Sequence, residues 1–229
     1  MDFTEEILLI DKPKGITSFD VIRRLRRRYS DSHDGEKAPK MGHAGTLDPL
    51  ATGLMIIGIG SGTKKLTELT KLDKEYIAGV RLGESRTTGD LEGEVVEEKK
   101  VEETVEILHS KISTALSDMI GEIALPVSAY SAIKVDGIPM YKRARKAEQK
   151  GEVVEEVPVR VMRVYKAELL DIEIADDHAV ATIRFFVGSG TYIRSLGEEL
   201  GKRVGYPTCL QNLRRTKVGE LDIKNSVEI

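Results

Sequence analysis

Gly42-His43-Ala44-Gly45-Thr46-Leu47-Asp48-Pro49-Leu50-Ala51-Thr52-Gly53 runs directly into Leu54-Met55-Ile56-Ile57. The four apolar residues predict a buried strand. The twelve before them place one carboxylate, Asp48, on a loop punctuated by three glycines and a proline. Glycine permits close approach of the backbone to another molecule, and Pro49 fixes its own φ while steering Asp48 away from helix. An acid on a shaped loop beside a core strand is where a catalytic group would sit. Taken alone, Asp-Pro is more often an Asx turn, so the rest of the chain has to decide.

Working outward, Ile7–Ile10 reads as a second buried strand, followed by the turn Asp11-Lys12-Pro13-Lys14-Gly15. Ser18 is positioned as the N-cap of a helix to about Arg28, with Val21, Ile22 and Leu25 on its core face. Residues 30–40, polar with Gly35 and Pro39, predict a flexible loop. Gly58-Ile59-Gly60-Ser61-Gly62-Thr63-Lys64-Lys65 opens a helix. It lacks the Gly-Lys-Ser/Thr ending of a nucleotide-binding loop and the third glycine of a dinucleotide fingerprint. Tyr76–Leu82 predicts a strand, 87–93 a turn-rich loop, and Val101, Val105, Leu108, Ile112 and Leu116 a helix over 101–117. Ser131–Val135 is a strand candidate, with Pro139 in the first turn of the next helix. Residues 157–187 predict a long hairpin turning near Asp176-Asp177. A helix is expected from Thr191 to about Val204, and strand again from Leu210 to Ile223. The class is α+β, with a mixed, largely antiparallel sheet flanked by helices.

The chain has 229 residues and a formal net charge of −3. One cysteine, Cys209, excludes an internal disulfide and a multi-cysteine zinc site. His33, His43, His109 and His178 lack metal-ligand spacing, so no metal is indicated. The N-terminus lacks the regions of a signal peptide and no apolar run approaches a membrane span, which predicts a soluble, cytoplasmic protein. Charge is unevenly spread: residues 11–82 carry 14 Lys and Arg against 9 Asp and Glu, whereas 89–122 carry 3 against 10. The basic part holds Arg23, Arg24, Arg26, Arg27 and Arg28 together with Asp48. A basic run is usually a solvated helix face, but this asymmetry leaves room for RNA on one side.

These segments, in this order, resemble the tRNA pseudouridine synthase B (TruB) family over nearly the whole chain. The resemblance is carried by Asp11–Ser18, Gly42–Gly53, Lys74-Glu75-Tyr76, Arg81-Leu82-Gly83 and Thr88–Gly93. It continues through Ser131–Gly137, Gly190–Leu196 and Leu213-Arg214-Arg215-Thr216. It implies the pseudouridine synthase fold and isomerisation of the T-loop uridine at tRNA position 55, with no cofactor and no guide RNA. By resemblance, Asp48 is the catalytic nucleophile, Tyr76 packs on the flipped base, and Arg194 pairs with the aspartate and keeps it ionised. His43 would fill the space left by the flipped nucleotide. Tyr192 and Leu213 would line the base pocket, and Lys64 would contact phosphate. Lys12 and Pro13 match a motif that reads as architectural, and a lysine in a polar turn is usually solvated.

The chain departs from the pattern in three places. Val127-Ser128-Ala129 stands where the family commonly has paired prolines. Residues 30–40 read as a longer loop, an insertion rather than an added contact through Lys37 and Lys40. The chain stops at Ile229, so residues 1–229 are expected to be the catalytic domain, without the small C-terminal RNA-binding (PUA-like) domain of many members. A monomer is expected. The alternatives are a guide-dependent H/ACA-type subunit and a tRNA-binding chaperone without catalysis.

Overall fold

The computed structural model describes residues 3–131, 133–150 and 157–229. In chain order, β1 (Ile7–Lys12) leads to α1 (Ser18–Ser32), β2 (Met41–Ala44) and β3 (Thr52–Ile59). After a 3-10 turn over Gly60–Lys65 come α2 (Leu66–Lys71), β4 (Lys74–Leu82), β5 (Glu84–Arg86) and β6 (Val95–Glu98). Then follow α3 (Val105–Asp118), β7 (Gly121–Pro126), β8 (Lys134–Val135), β9 (Ile138–Pro139) and α4 (Met140–Glu148). The chain finishes with β10 (Val159–Ala175), β11 (His178–Val187), α5 (Ile193–Val204), β12 (Thr208–Val218), β13 (Leu221–Asp222) and β14 (Val227–Glu228). Among the described residues, no helix is long and apolar enough to cross a membrane.

Two compact units divide these elements. The first comprises Met1–Ile77, Arg184–Ser189 and Asn212–Ile229, the second Ala78–Ile183 and Gly190–Gln211. In the first unit, β3 is the organising strand. It pairs antiparallel with β1, from Ile7↔Gly58 to Lys12↔Gly53, and with β2, from Met41↔Ile59 to Ala44↔Ile56. Parallel pairing brings Arg214 and Arg215 of β12 beside Thr52 and Gly53, and β14 beside β1. Leu54, Met55, Ile56 and Ile57 are all fully buried, so this strand alternates no polar face. Ala44, Leu54, Ile56 and Val218 form a core cluster onto which Ile7, Leu9, Leu66 and Leu69 pack.

In the second unit, β10 pairs antiparallel with β7 from Val159↔Pro126 to Val164↔Gly121. The hairpin into β11 turns at Asp176, whose φ of 36° lies in the left-handed region that Asp tolerates. The expected turn at Asp176-Asp177 is therefore where the hairpin closes. α3 packs on β10 and α5 through Leu108, Ile112, Ala115 and Leu116.

Several local expectations change. Thr17, not Ser18, caps α1: its hydroxyl accepts from Asp20 N–H, and the Asp20 carboxylate accepts from Thr17 N–H. Ser18 is buried because its hydroxyl is used elsewhere, as described below. α1 continues to Ser32, so residues 30–32 are helix. His33 follows as C-cap, its ring stacked on Tyr29 with centroids 4.0 Å apart. The predicted loop shrinks to the segment before β2, where Lys40 O accepts from Gly60 N–H. α3 begins at Val105. Val101 lies outside it and Val105 is exposed, so the core stripe starts at Leu108. Gly58–Ile59 still belong to β3, and the helix expected there starts as the 3-10 turn. In the candidate strand 131–135, Lys134-Val135 are extended, and Ala132 lies outside the described residues.

Candidate active site

The loop carrying Asp48 leaves β2 at Gly45 and enters β3 at Thr52. It is fastened on both sides of the aspartate. The Ser18 hydroxyl donates to Leu47 O at 2.9 Å and accepts from Leu47 N–H at 2.8 Å. Pro49 O accepts from Gly15 N–H at 2.8 Å, and Asp48 O accepts from Ala51 N–H at 3.1 Å. Lys12 is wholly buried and its ammonium donates to Pro13 O, Ile16 O and Pro49 O at 3.0, 2.7 and 3.4 Å. A buried ammonium is costly unless its three donors are met, and here three carbonyls meet them. Lys12 is thus architectural, but it is not the solvated turn residue that composition favours. Asp48 itself is half-buried.

Arg215 is another internal cation, 1% exposed. Its Nε–H donates to Leu54 O at 2.7 Å and its terminal nitrogen to Gly45 O at 3.2 Å. It therefore ties the first residue of the Asp48 loop to the strand that follows it. In the sequence Arg215 lies in a motif that assigns it no role, because an arginine gives no sign of pointing inward until its carbonyl partners are placed.

His43, on β2 opposite Ile57, is half-buried, and its Nδ1 has no hydrogen-bond partner among the described residues. Burial first, and the Arg215 charge second, lower its pKa from the ordinary 6.5, against a smaller opposing effect from the Gly45 backbone. The ring is therefore neutral at pH 7. Below 6.5 the unfolded chain takes up this proton before the folded one does, so His43 makes stability fall as pH drops from 6.5. Urea midpoints of the parent and His43→Gln at pH 5 and 7.5 check this. The parent is expected to lose more on acidification, and equal losses would reject the reading.

Leu213 is buried at 9% exposure on β12, and its carbonyl accepts from the Thr52 hydroxyl. Its neighbour Arg214 forks onto Asp11, at 3.2 and 2.5 Å. Tyr76 is buried at 7% exposure on β4. Beside it the Thr216 hydroxyl donates to the Glu75 carboxylate at 2.7 Å, and the Lys74 ammonium donates to Thr70 O and Leu72 O. Burial, assisted by the Arg215 charge, lowers the Lys74 pKa to about 8. Lys64 is exposed on the 3-10 turn.

Arg194 and Tyr192 belong to the second unit. Tyr192 is the half-buried N-cap residue of α5, and its carbonyl accepts from Leu196 N–H. Arg194, in the first turn of a helix that buries Ile193, Leu196 and Leu200, is 6% exposed rather than a surface arginine. One terminal nitrogen donates to Thr88 O at 2.8 Å and to the Ser128 hydroxyl at 3.0 Å, and the other to Tyr130 O at 3.2 Å. Two loops therefore fix its guanidinium plane. Ser128 lies in the segment where the resemblance leads one to expect prolines, and its hydroxyl supplies an acceptor that a proline side chain lacks. The sequence carried no signal for that role.

The structure thus places His43, Asp48, Lys64, Tyr76 and Leu213 in the first unit, and Tyr192 and Arg194 in the second. The family model described as TruB family pseudouridylate synthase (N terminal domain) matches residues 33–193, which include His43, Asp48, Lys64, Tyr76 and Tyr192. The tRNA pseudouridine synthase B of Leifsonia xyli subsp. xyli is 42% identical over 97% of this chain and 70% of its own length. That of Corynebacterium diphtheriae is 38% identical over the same shares. Among solved structures, a chain of an H/ACA ribonucleoprotein bound to a substrate RNA containing 2'-deoxyuridine shares the fold. Its TM-score is 0.64 and its identity 24%, over 97% of this chain and 50% of that one. A chain of an archaeal box H/ACA complex gives a TM-score of 0.62 at 25% identity over the same shares. The chain spans about 70% of the length of these bacterial relatives and half of each ribonucleoprotein chain. With a fold of the pseudouridine synthase type and a family match over most of its length, the chain belongs to the TruB family of pseudouridylate synthases.

Proposed function

We propose that this chain is a guide-independent tRNA pseudouridine synthase that isomerises the T-loop uridine at tRNA position 55, with residues 1–229 as its catalytic domain. The observation that carries the reading is the fastening of the Asp48 loop by Ser18, Lys12 and Gly15. A nucleophile that must reach one bond of a flipped nucleotide gains from a fixed position. The target glycosidic bond is inaccessible while the base is stacked, so the uridine first leaves the RNA. His43, flat and neutral, takes the vacated place. Tyr76 and Leu213 receive the uracil, and Tyr192 is assigned a substrate contact by family resemblance. Asp48 supplies the nucleophile that frees the base from its N1 bond to the sugar. The base turns, C5 bonds to the sugar carbon, the bond to Asp48 breaks to return its carboxylate, and the proton lost at C5 is balanced by one gained at N1. No cofactor takes part in this balance. Lys64 contacts phosphate. The protein acts as a monomer in the cytoplasm.

Tritium release tests the reading. With tRNA carrying tritium at uridine C5, the purified chain alone is expected to release label stoichiometrically. No release at enzyme excess would sink the proposal, and release only on adding guide RNA and partner proteins would favour the guide-dependent alternative.

By family resemblance, Arg194 is proposed as the arginine that serves the catalytic aspartate. Arg194→Lys keeps the charge but loses the planar fork that engages Thr88, Ser128 and Tyr130. kcat is expected to fall about 100-fold, the scale of a small misplacement of a reacting group, with a smaller change in KM. An unchanged kcat in a folded variant would reject the role.

A further inference from the structure

α1 turns five arginines to solvent. Arg23, Arg24, Arg26, Arg27 and Arg28 are all exposed, while Val21, Ile22 and Leu25 are buried. At helical spacing Arg23 and Arg27 lie opposite that core stripe, Arg24 and Arg26 flank it on either side and Arg28 lies at its edge beside Val21, all within about 7.5 Å of helix rise. Two carboxylates offset part of this charge, since Asp20 pairs with Arg23 and Asp31 lies 3.9 Å from Arg27. Arg24, Arg26 and Arg28 have no acidic partner among the described residues. Arg23, Arg24 and Arg27 also line, with Ile16 and Asp20, a surface hollow of about 460 Å³.

This charged face is tied to the proposed nucleophile. Ser18, the first residue of α1, exchanges two hydrogen bonds with Leu47, the residue before Asp48. The capping box of Thr17 and Asp20 fixes the helix start as well. Arg24 and Arg28 lie about 9 and 15 Å of rise beyond that anchor.

We propose that the outer face of α1 binds the phosphates of the double-stranded stem flanking the loop that carries the target uridine. The inference rests on the tRNA reading above. Arginine forks match phosphate oxygens, and a regular stem offers them at fixed spacing. An anionic lipid surface fits less well, because a helix lying on lipid needs its apolar stripe free, and here that stripe is in the core.

The full chain carrying Arg24→Gln, Arg26→Gln and Arg28→Gln together tests this. Glutamine keeps helix propensity at exposed positions, and circular dichroism checks the fold. Binding is measured across a salt series to two probes: a stem-loop hairpin of the tRNA T arm, and a single-stranded oligonucleotide of its loop alone. For the hairpin, affinity at 0.1 M salt is expected to fall about tenfold or more. The slope of log K against log salt is expected to shrink by about 2.7, as for three lost phosphate contacts on a duplex. Binding of the loop oligonucleotide is expected to stay within about twofold. An unchanged hairpin slope overturns the proposal, and so does an equal loss for the loop oligonucleotide. Loss of binding to phosphatidylserine vesicles with hairpin binding intact would assign the face to lipid instead. Tritium release by the parent reads the isomerase activity separately. A parent without release but with the expected hairpin loss keeps the surface and removes the reaction.

Discussion

Asp48→Asn is expected to lower tritium release from C5-labelled tRNA by about four orders of magnitude or more, the scale of losing a nucleophile. Binding of the same tRNA should remain within about threefold of the parent. Asparagine is nearly the same size, and its side-chain oxygen can still serve turn hydrogen bonds. The loop is fastened through Ser18, Lys12, Gly15 and Arg215. What is lost is the anionic oxygen, since an amide does not attack as a carboxylate does. Removing one negative charge would, if anything, favour a polyanion. Single-turnover release at enzyme excess, with binding by filter retention, separates the two quantities. Release within tenfold of the parent would remove Asp48 from the reaction.

Gly53→Ala is expected to cost about 2–6 kcal/mol of stability through two additive effects. The φ of Gly53 is +105°, a backbone conformation that a Cβ penalises by about 1–3 kcal/mol. The added methyl would also sit 2.3 Å from Arg215 O and 2.7 Å from Arg215 N, on the parallel-paired strand. Neither atom is the end of a flexible side chain, so β3 and β12 must separate, at about 1–3 kcal/mol for overpacking. Against a typical total of about 5–15 kcal/mol this is a large share. A chain of this size would lose about 5–20 °C in Tm. A calorimetric Tm within 2 °C of the parent would contradict the contact. Arg215 also holds Gly45 O, so a displaced Arg215 should loosen the Asp48 loop. Activity at low temperature is therefore expected to fall along with stability.

The strands over Ile7–Ile10, Leu54–Ile57 and Tyr76–Leu82, the long hairpin and the helix to Val204 were legible because each carries its own period or punctuation. The interiors of these elements were read better than their ends. The start of α1 shows why: Thr17 and Ser18 are both capping residues, and local sequence cannot say which hydroxyl a distant loop will claim. Leu47 claims Ser18, which leaves Thr17 to cap. Val105 has the right spacing for the α3 stripe but lies at the helix start, where the packed face has not yet begun.

By itself the sequence determined the class of the fold, the order of its elements and, through the spacing of its motifs, the family and the positions worth testing. Asp48 on a glycine-bounded loop before a buried strand was readable because glycine, proline and apolar runs act locally. Tertiary structure alone decided what each charge does. Lys12, Arg194 and Arg215 look in sequence like Arg24 or Arg28, yet the first three are buried and each donates to at least one acceptor from a distant segment, Lys12 to Pro49 O, Arg194 to Thr88 O and Arg215 to Leu54 O, whereas the α1 arginines stay in water. A cation is kept inside only where enough acceptors converge to replace its hydration, and that convergence exists only once the chain has folded.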